Sequence, residues 1–392
     1  MDFNLLSTPE NKERLAIVVV GYNRLKGITR LLNSINAAYY EELDVPLVIS
    51  IDASGDEELY DYVYKFEWNH GTKYVNIQKD RLGLKAHIFQ CGSLSKFFKG
   101  VIILEDDLFV SPFFYHYSKQ AVDKYGCCED IAGISLYATE INGYVGLPFQ
   151  PVVNQFDVYA WQTVSSWGEI WNERMWNDFV SWLDKWIEDF ASIDMVSQIK
   201  GWTRAWSKYF YAYLISKNKY FICPYQSLTT NFNDAGGEHG GGNSSVVQTS
   251  LIQGKKDYLL GDFKDLVKYD VYAQNMSLPQ WLGIEPNDLT VDFYGLKEKY
   301  KGHYILSPFK LPYNIIKGFS LSMRPWELNI KYGIPGDDIS LYKRENARET
   351  TAPKRAFDLA IARYYLRGFN PRLLVRYSKN LISGRIKQLL HI

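Results

Sequence analysis

Val101-Ile102-Ile103-Leu104-Glu105-Asp106-Asp107-Leu108 joins four consecutive aliphatic residues, three of them β-branched, to three carboxylates. An apolar run of this length without alternation predicts a strand buried on both faces, the pattern of a parallel sheet. The acids arrive where that strand runs out. Ligands of open α/β sheets bind outside the carboxyl ends of the strands, and carboxylate oxygens there suit a hard divalent cation that also holds phosphates. A solvated acidic turn after a core strand is the alternative reading of the triplet taken alone.

Upstream, residues 15–22 (Leu-Ala-Ile-Val-Val-Val-Gly-Tyr) form another such run. It ends at Gly21-Tyr22-Asn23-Arg24, and Ile28, Leu31, Leu32 and Ile35 then give a helix one apolar face. Residues 46–51 predict a second strand ending at Asp52, residues 57–68 a helix, and residues 74–78 a third strand leading to Arg81-Leu82-Gly83-Leu84-Lys85. Residues 84–98 predict the helix that delivers the chain into 101–104. Alternation of this kind requires crossover helices and a mainly parallel sheet, so residues 1–115 read as a nucleotide-binding α/β half. Arg24, Asp52, Arg81 and Glu105-Asp106-Asp107 all fall at strand ends, which brings cations and anions to one rim. No Gly-x-Gly-x-x-Gly follows the first strand and no Walker lysine loop occurs, which argues against dinucleotide oxidoreductases and P-loop enzymes.

Downstream the pattern changes. Residues 131–136 predict a strand, residues 144–161 are loop-rich, and Ser165-Ser166-Trp167-Gly168-Glu169-Ile170-Trp171 opens a stretch of aromatic-rich helices reaching about residue 216. Eight of the eleven Trp lie between Trp161 and Trp206, which reads either as an aromatic core or as a wall on which sugars stack. A strand at 220–223 leads to residues 230–242, whose glycine density predicts a mobile loop carrying Asp234, Glu238 and His239. Residues 246–325 alternate short apolar runs with Gly and Pro and suggest no separate function.

Residues 353–392 carry nine Lys or Arg against the single Asp358, with apolar residues interleaved, which predicts basic amphipathic helices on an anionic membrane surface. A terminal helix packed on the domain is the alternative. Over the whole chain 44 Lys+Arg balance 44 Asp+Glu, so bulk charge implies no nucleic-acid partner. With no basic-then-apolar leader and no run of about 18 apolar residues, a cytoplasmic protein, peripheral on the inner face of the membrane, is expected. Cys91, Cys127, Cys128 and Cys223 lack metal-site spacing and read as reduced thiols.

On Val18-Val19-Val20-Gly21-Tyr22-Asn23-Arg24, Asp52, Gly83-Leu84-Lys85-Ala86-His87 and Glu105-Asp106-Asp107, the chain resembles nucleotide-sugar-dependent glycosyltransferases of the GT-A fold. It looks most like the family-2 bacterial enzymes and the N-acetylglucosaminyltransferase I group, over residues 14–245. The resemblance implies a Rossmann-like α/β fold, with residues 1–115 as the donor half, 116–245 as the acceptor half, 246–325 as a variable extension and 326–392 as a basic tail. It implies a UDP-sugar donor and Mn²⁺ or Mg²⁺ held by Asp107, with His239 near the metal. Arg24 and His87 would lie near the diphosphate and phosphates, Asp52 near the base or ribose, and Asp106 and Glu105 near ribose and neighbouring groups, with Arg81 on the same rim. The acceptor would be a glycan or lipid-linked saccharide in surface polysaccharide assembly, and the reaction inverting.

One departure stands out. Where those enzymes place a carboxylate base, this chain offers Gly201-Trp202-Thr203-Arg204-Ala205-Trp206. Glu169, then Asp178 and Asp234, are the substitutes expected for it. Two other classes compete. A nucleotidyltransferase would share the α/β half but wants a glycine-rich loop after the first strand, where there is one glycine. A carbohydrate-binding protein without catalysis would account for the tryptophans and the missing acid.

Overall fold

The computed structural model of the chain describes residues 6–42, 44–234, 247–352, 361, 364–365, 370, 372–373 and 375–380. Two compact units are present, Met1–Ile284 with Leu296–Glu298, and Glu285–Gly295 with Lys299–Ile392.

The first unit is built on a nine-stranded sheet. After a short helix α1 (Pro9–Lys12), strands β1 (Leu15–Gly21), β2 (Leu47–Ile51), β3 (Lys73–Ile77) and β4 (Gly100–Glu105) stand in the order β3-β2-β1-β4 and are all parallel. The crossovers are α2 (Leu25–Asn36), α3 (Glu57–Lys65) and α4 (Leu84–Gly92). This is the Rossmann-like half that the apolar runs predict. Val101, Ile102, Ile103 and Leu104 are each 0% exposed, and burying such side chains contributes about 1.5–3 kcal/mol apiece before chain entropy is counted.

The chain then adds β5 (Leu108–Val110), α5 (Phe114–Tyr125), β6 (Ile131–Ser135), the small pair β7 (Ile141–Asn142) and β8 (Leu147–Pro148), β9 (Val158–Trp161) and β10 (Glu169–Trp171). Helices α6 (Glu173–Leu183), α7 (Ser197–Lys200) and α8 (Ser207–Ser216) lead to β11 (Tyr220–Pro224), β12 (Thr229–Asn231) and β13 (Lys268–Tyr269). Beyond β4 the sheet continues β10-β6-β11-β9-β13, giving five parallel pairings and three antiparallel ones among the described residues. The α/β class and the mostly parallel sheet are therefore as expected. β9 and β10 are not, because β9 ends a stretch that reads as loop and β10 is three residues long behind a Ser-Ser-Trp-Gly turn. Both are strands because β11, and β4 with β6, supply their hydrogen-bond partners.

The aromatic-core reading of the tryptophans holds for Trp171, Trp176 and Trp206, each at most 2% exposed. Trp171 stacks on Phe210 at 5.5 Å and Trp176 fills the space left by Gly92. All four cysteines are free thiols.

The second unit holds a four-stranded sheet in which β14 (Leu289–Val291) neighbours β16 (Tyr304–Ser307), then β18 (Ile339–Lys343), then β17 (Asn314–Phe319); β15 (Lys299–Tyr300) lies between β14 and β16 in sequence. Tyr300, Ile305 and Tyr342 form a core there. Most of the basic tail lies outside the described residues. Of those described, Ile361, Tyr364 and Tyr365 are buried, Tyr364 donating to the Met323 carbonyl at 2.9 Å, whereas Leu373, Val375 and Tyr377 are more than half exposed. No helix of the described residues is long and apolar enough to cross a membrane.

Candidate functional site

The carboxyl ends of β1 and β4 are adjacent, Val20 pairing with Glu105, so the turns that follow them face each other. Arg24 sits at the start of α2 without a side-chain cap on the helix and points its guanidinium at the acidic turn. It forms an ion pair with Asp106 and lies 3.7 Å from Asp107 Oδ2. Gly27 makes this approach possible, because a Cβ there would come within 2.5 Å of the Asp106 carbonyl oxygen. Burial alone would lower the Arg24 pKa, but Asp106, Asp107 and Glu105 together raise it. Asp106 is 3% exposed, and burial pushes it up to about 6 against the pull of Arg24.

Asp107 is held differently. Its carbonyl accepts from the Phe232 amide at 2.9 Å, which ties the acidic turn to the end of β12, and β12 pairs with β5 directly after the triplet. Its carboxylate oxygen Oδ1 is buried with no hydrogen-bond partner. A buried acceptor without a partner is costly, and a cation is the partner that a carboxylate most favours. No group of three His, Cys, Asp or Glu among the described residues forms a metal site. Asp107 thus fits a cation that takes one protein carboxylate and completes its shell from a ligand's phosphates and water, as Mg²⁺ commonly does. His239 and Glu238 lie outside the described residues.

Asp52 is already engaged. Its Oδ1 accepts from the Ala53 and Leu82 amides at 2.9 and 2.8 Å, and its Oδ2 accepts from Gly83 at 2.8 Å. Asp52 therefore fixes the turn that starts α4, where Gly83 takes a φ of +76°. Arg81, on that turn, lies with its guanidinium 4.7 Å from the Tyr22 ring centre, so the pair forms one wall of the rim.

His87, which the resemblance puts near the phosphates, is 2% exposed between α4 and β2, its Nε2 2.7 Å from Ser50 Oγ. Burial lowers its pKa to about 4, against the raising effect of Asp52. The side chain is neutral near pH 7 and turned toward Ser50 of β2. The sign of its pH effect follows: unfolded His87 binds a proton below about 6.5 and folded His87 does not, so its contribution to stability is lost as pH falls from about 6.5 towards 4, by roughly 3 kcal/mol in full. His87→Gln cannot lose it. The stability gap between wild type and His87→Gln, measured by urea unfolding, should therefore shrink or reverse between pH 7 and pH 4.5.

The three candidate bases are scattered. Glu169 opens β10 opposite Ile103 of β4, 0% exposed, and neither carboxyl oxygen reaches a hydrogen-bond partner of ordinary geometry. Burial, then the charge of Glu105, raises its pKa well above the carboxylate range, with a slight opposing effect of the Gly168 backbone. A carboxyl sealed from solvent, its pKa raised by burial, has no open path to an incoming hydroxyl. Asp178 is on the exposed side of α6, paired with Arg174 at 3.1 Å. Asp234, by contrast, lies two residues beyond Phe232 and is gripped by both terminal nitrogens of Arg30, whose guanidinium also covers the Phe232 ring at 3.8 Å. The short pairing of β5 with β12 places it there, and no local sequence signal announces that pairing.

No protein-family model matches the chain, and no curated protein matches it in sequence. Among solved structures, TarS of S. aureus in complex with UDP-GlcNAc is similar over 59% of this chain and 62% of its own, at 15% identity and a TM-score of 0.38. The mannosyltransferase PcManGT of Pyrobaculum calidifontis, in complex with GDP-Man and Mn²⁺, is similar over 55% of this chain and 58% of its own, at 12% identity and a TM-score of 0.35. GalNAc-T7 with UDP, GalNAc and Mn²⁺ is similar over 55% of this chain and 43% of its own, at 15% identity and a TM-score of 0.38. This chain thus spans less than two thirds of the length of each of them.

Proposed function

We infer that this protein is a metal-dependent glycosyltransferase of the GT-A kind, which moves a sugar from a nucleotide diphosphate to a saccharide hydroxyl. The observation that carries the reading is the buried, unpartnered Oδ1 of Asp107, just past the end of β4, on a carboxylate whose other oxygen lies 3.7 Å from Arg24. A cation held there would neutralise the charge that develops on a leaving diphosphate. Arg24 supplies a guanidinium whose Nη1 is buried without a hydrogen-bond partner, suited to a phosphate oxygen. Tyr22 and Arg81 offer a ring face and a cation at the same rim for the nucleoside.

Inversion needs a carboxylate within reach of the attacking hydroxyl. Of the three expected, Asp234 is the one on the segment tied to the acidic turn, two residues past Phe232, whose amide bonds the Asp107 carbonyl, so we assign it the base in place of Glu169. Glu169→Gln copies the shape of a protonated carboxyl and should leave turnover within about threefold of wild type, whereas loss of a general base costs roughly 10²–10⁴. Asp234→Asn should show the larger loss, and Arg30→Gln should not reproduce it, which separates a proton acceptor from a tether. A large loss from Glu169→Gln alone would return the role to Glu169.

The direct test of the function is nucleotide release from a panel of UDP- and GDP-sugars with Mn²⁺ or Mg²⁺, with and without saccharide acceptors. Failure of every donor to raise the melting temperature or to be hydrolysed would leave a carbohydrate-binding protein as the better reading. The nucleotidyltransferase reading is disfavoured by the same turn that favours a diphosphate, Gly21-Tyr22-Asn23-Arg24, which has no glycine-rich cradle for a triphosphate. The exposed apolar side chains of Leu373, Val375 and Tyr377, among basic residues, support a tail that meets an anionic membrane where a lipid-linked acceptor would be presented.

A further inference from the structure

Most of the tryptophan cluster is core, but two members are not. Trp182, in the last turn of α6, and Trp186, just past it, remain only half-buried, their rings stacked at 4.8 Å with 19° between planes. They line an open cavity of about 740 Å³ together with Asp178, Lys185, Asp189 and Lys217. Ile187 stands at its edge, 87% exposed.

This cavity is not the rim described above. Lys217 caps the end of α8, and the chain then enters β11 at Tyr220, which pairs with Ile131, the first residue of β6. β6 and β11 run parallel to β4, so their starts lie at the edge of the sheet opposite the acidic turn.

The chemistry selects the ligand. Two carboxylates and two ammonium groups leave the cavity without a dominant sign, which disfavours phosphates, nucleic acid and polycations. A half-buried pair of stacked indoles with scattered hydrogen-bonding groups in a cavity of several hundred Å³ suits a ligand that is apolar on one face and hydroxylated at its edge. Neutral sugar rings have that character. We propose that the Trp182–Trp186 cavity is an accessory saccharide-binding site that holds a neutral oligosaccharide away from the reacting end. That the oligosaccharide belongs to the acceptor rests on the glycosyltransferase reading, whereas binding itself does not.

The experiment uses the full chain without nucleotide or metal, so that it reads this cavity alone. Maltohexaose, cellohexaose and chitohexaose are titrated by calorimetry and by saturation-transfer NMR, with a hexagalacturonate as the anionic control. At least one neutral probe should bind and the control should not. Trp186→Ala should weaken binding about tenfold, equivalent to ~1.4 kcal/mol, Trp186→Phe should recover most of it, and Lys185→Ala, on the exposed surface, should weaken it severalfold. Asp107→Ala should bind the probe as wild type does. The proposal is overturned if no neutral probe binds, if Trp186→Ala and Lys185→Ala bind unchanged, or if sedimentation shows that a second copy of the chain covers this face. Probe binding together with no nucleotide-sugar hydrolysis would instead remove the glycosyltransferase reading and leave this site standing.

Discussion

Replacing Asp107 with alanine should reduce transfer by at least ~10³-fold, and should abolish the rise in melting temperature that Mn²⁺ and a nucleotide diphosphate produce together. The size follows from the chemistry: a cation at a developing diphosphate is worth several kcal/mol of transition-state stabilisation, and each 1.4 kcal/mol is tenfold in rate. The fold should survive. The Phe232 amide bonds the Asp107 carbonyl, which alanine keeps, and of the two carboxylate oxygens lost, Oδ1 has no hydrogen-bond partner and Oδ2 makes only a 3.7 Å ion pair with Arg24. Nucleotide binding without metal should persist through Arg24. Turnover close to wild type in Asp107→Ala would remove the metal assignment and, with it, the central support for the function.

Arg24→Ala should damage stability as well as activity. Asp106 is 3% exposed and has Arg24 as its ion-pair partner, so removing the guanidinium strands a buried carboxylate. Breaking such a pair costs about 3 kcal/mol, at the lower end of the usual range because the Arg24 side chain is 20% exposed. The double variant Arg24→Ala/Asp106→Asn removes the stranded charge and should recover most of that stability in urea unfolding. It should not recover donor affinity, because the cation that meets the diphosphate is still missing. Equal loss of stability in the single and double variants would show that Arg24 acts through packing of its stem and not through charge.

The mainly apolar runs at 15–22, 46–51 and 101–104, with the shorter strand at 74–78, determined the parallel half of the sheet by themselves, because a strand buried on both faces is mostly apolar and its crossover helix shows one apolar face. Strand ends follow from strand positions, so Arg24 and the acidic triplet were legible as a shared rim from the sequence alone. What lay beyond local pattern was decided by pairing at a distance. β10 is three residues long and becomes a strand only because β4 and β6 stand on either side of it, and that insertion is what seals Glu169 away from solvent and raises its pKa. His87 likewise sits on a predicted helix, but its rotation toward Ser50, and hence its neutral buried state, is set by how α4 lies on β2. Asp234 is placed by the β5–β12 ribbon, in which Thr229 pairs with Val110 from 119 residues away in the chain, a contact that no local pattern announces. The tryptophans divide in the same way: composition marks 161–206 as aromatic, and only packing separates Trp171, Trp176 and Trp206, sealed in the core, from Trp182 and Trp186, left half-buried, because burial depends on which neighbours the chain brings back and not on the residue itself.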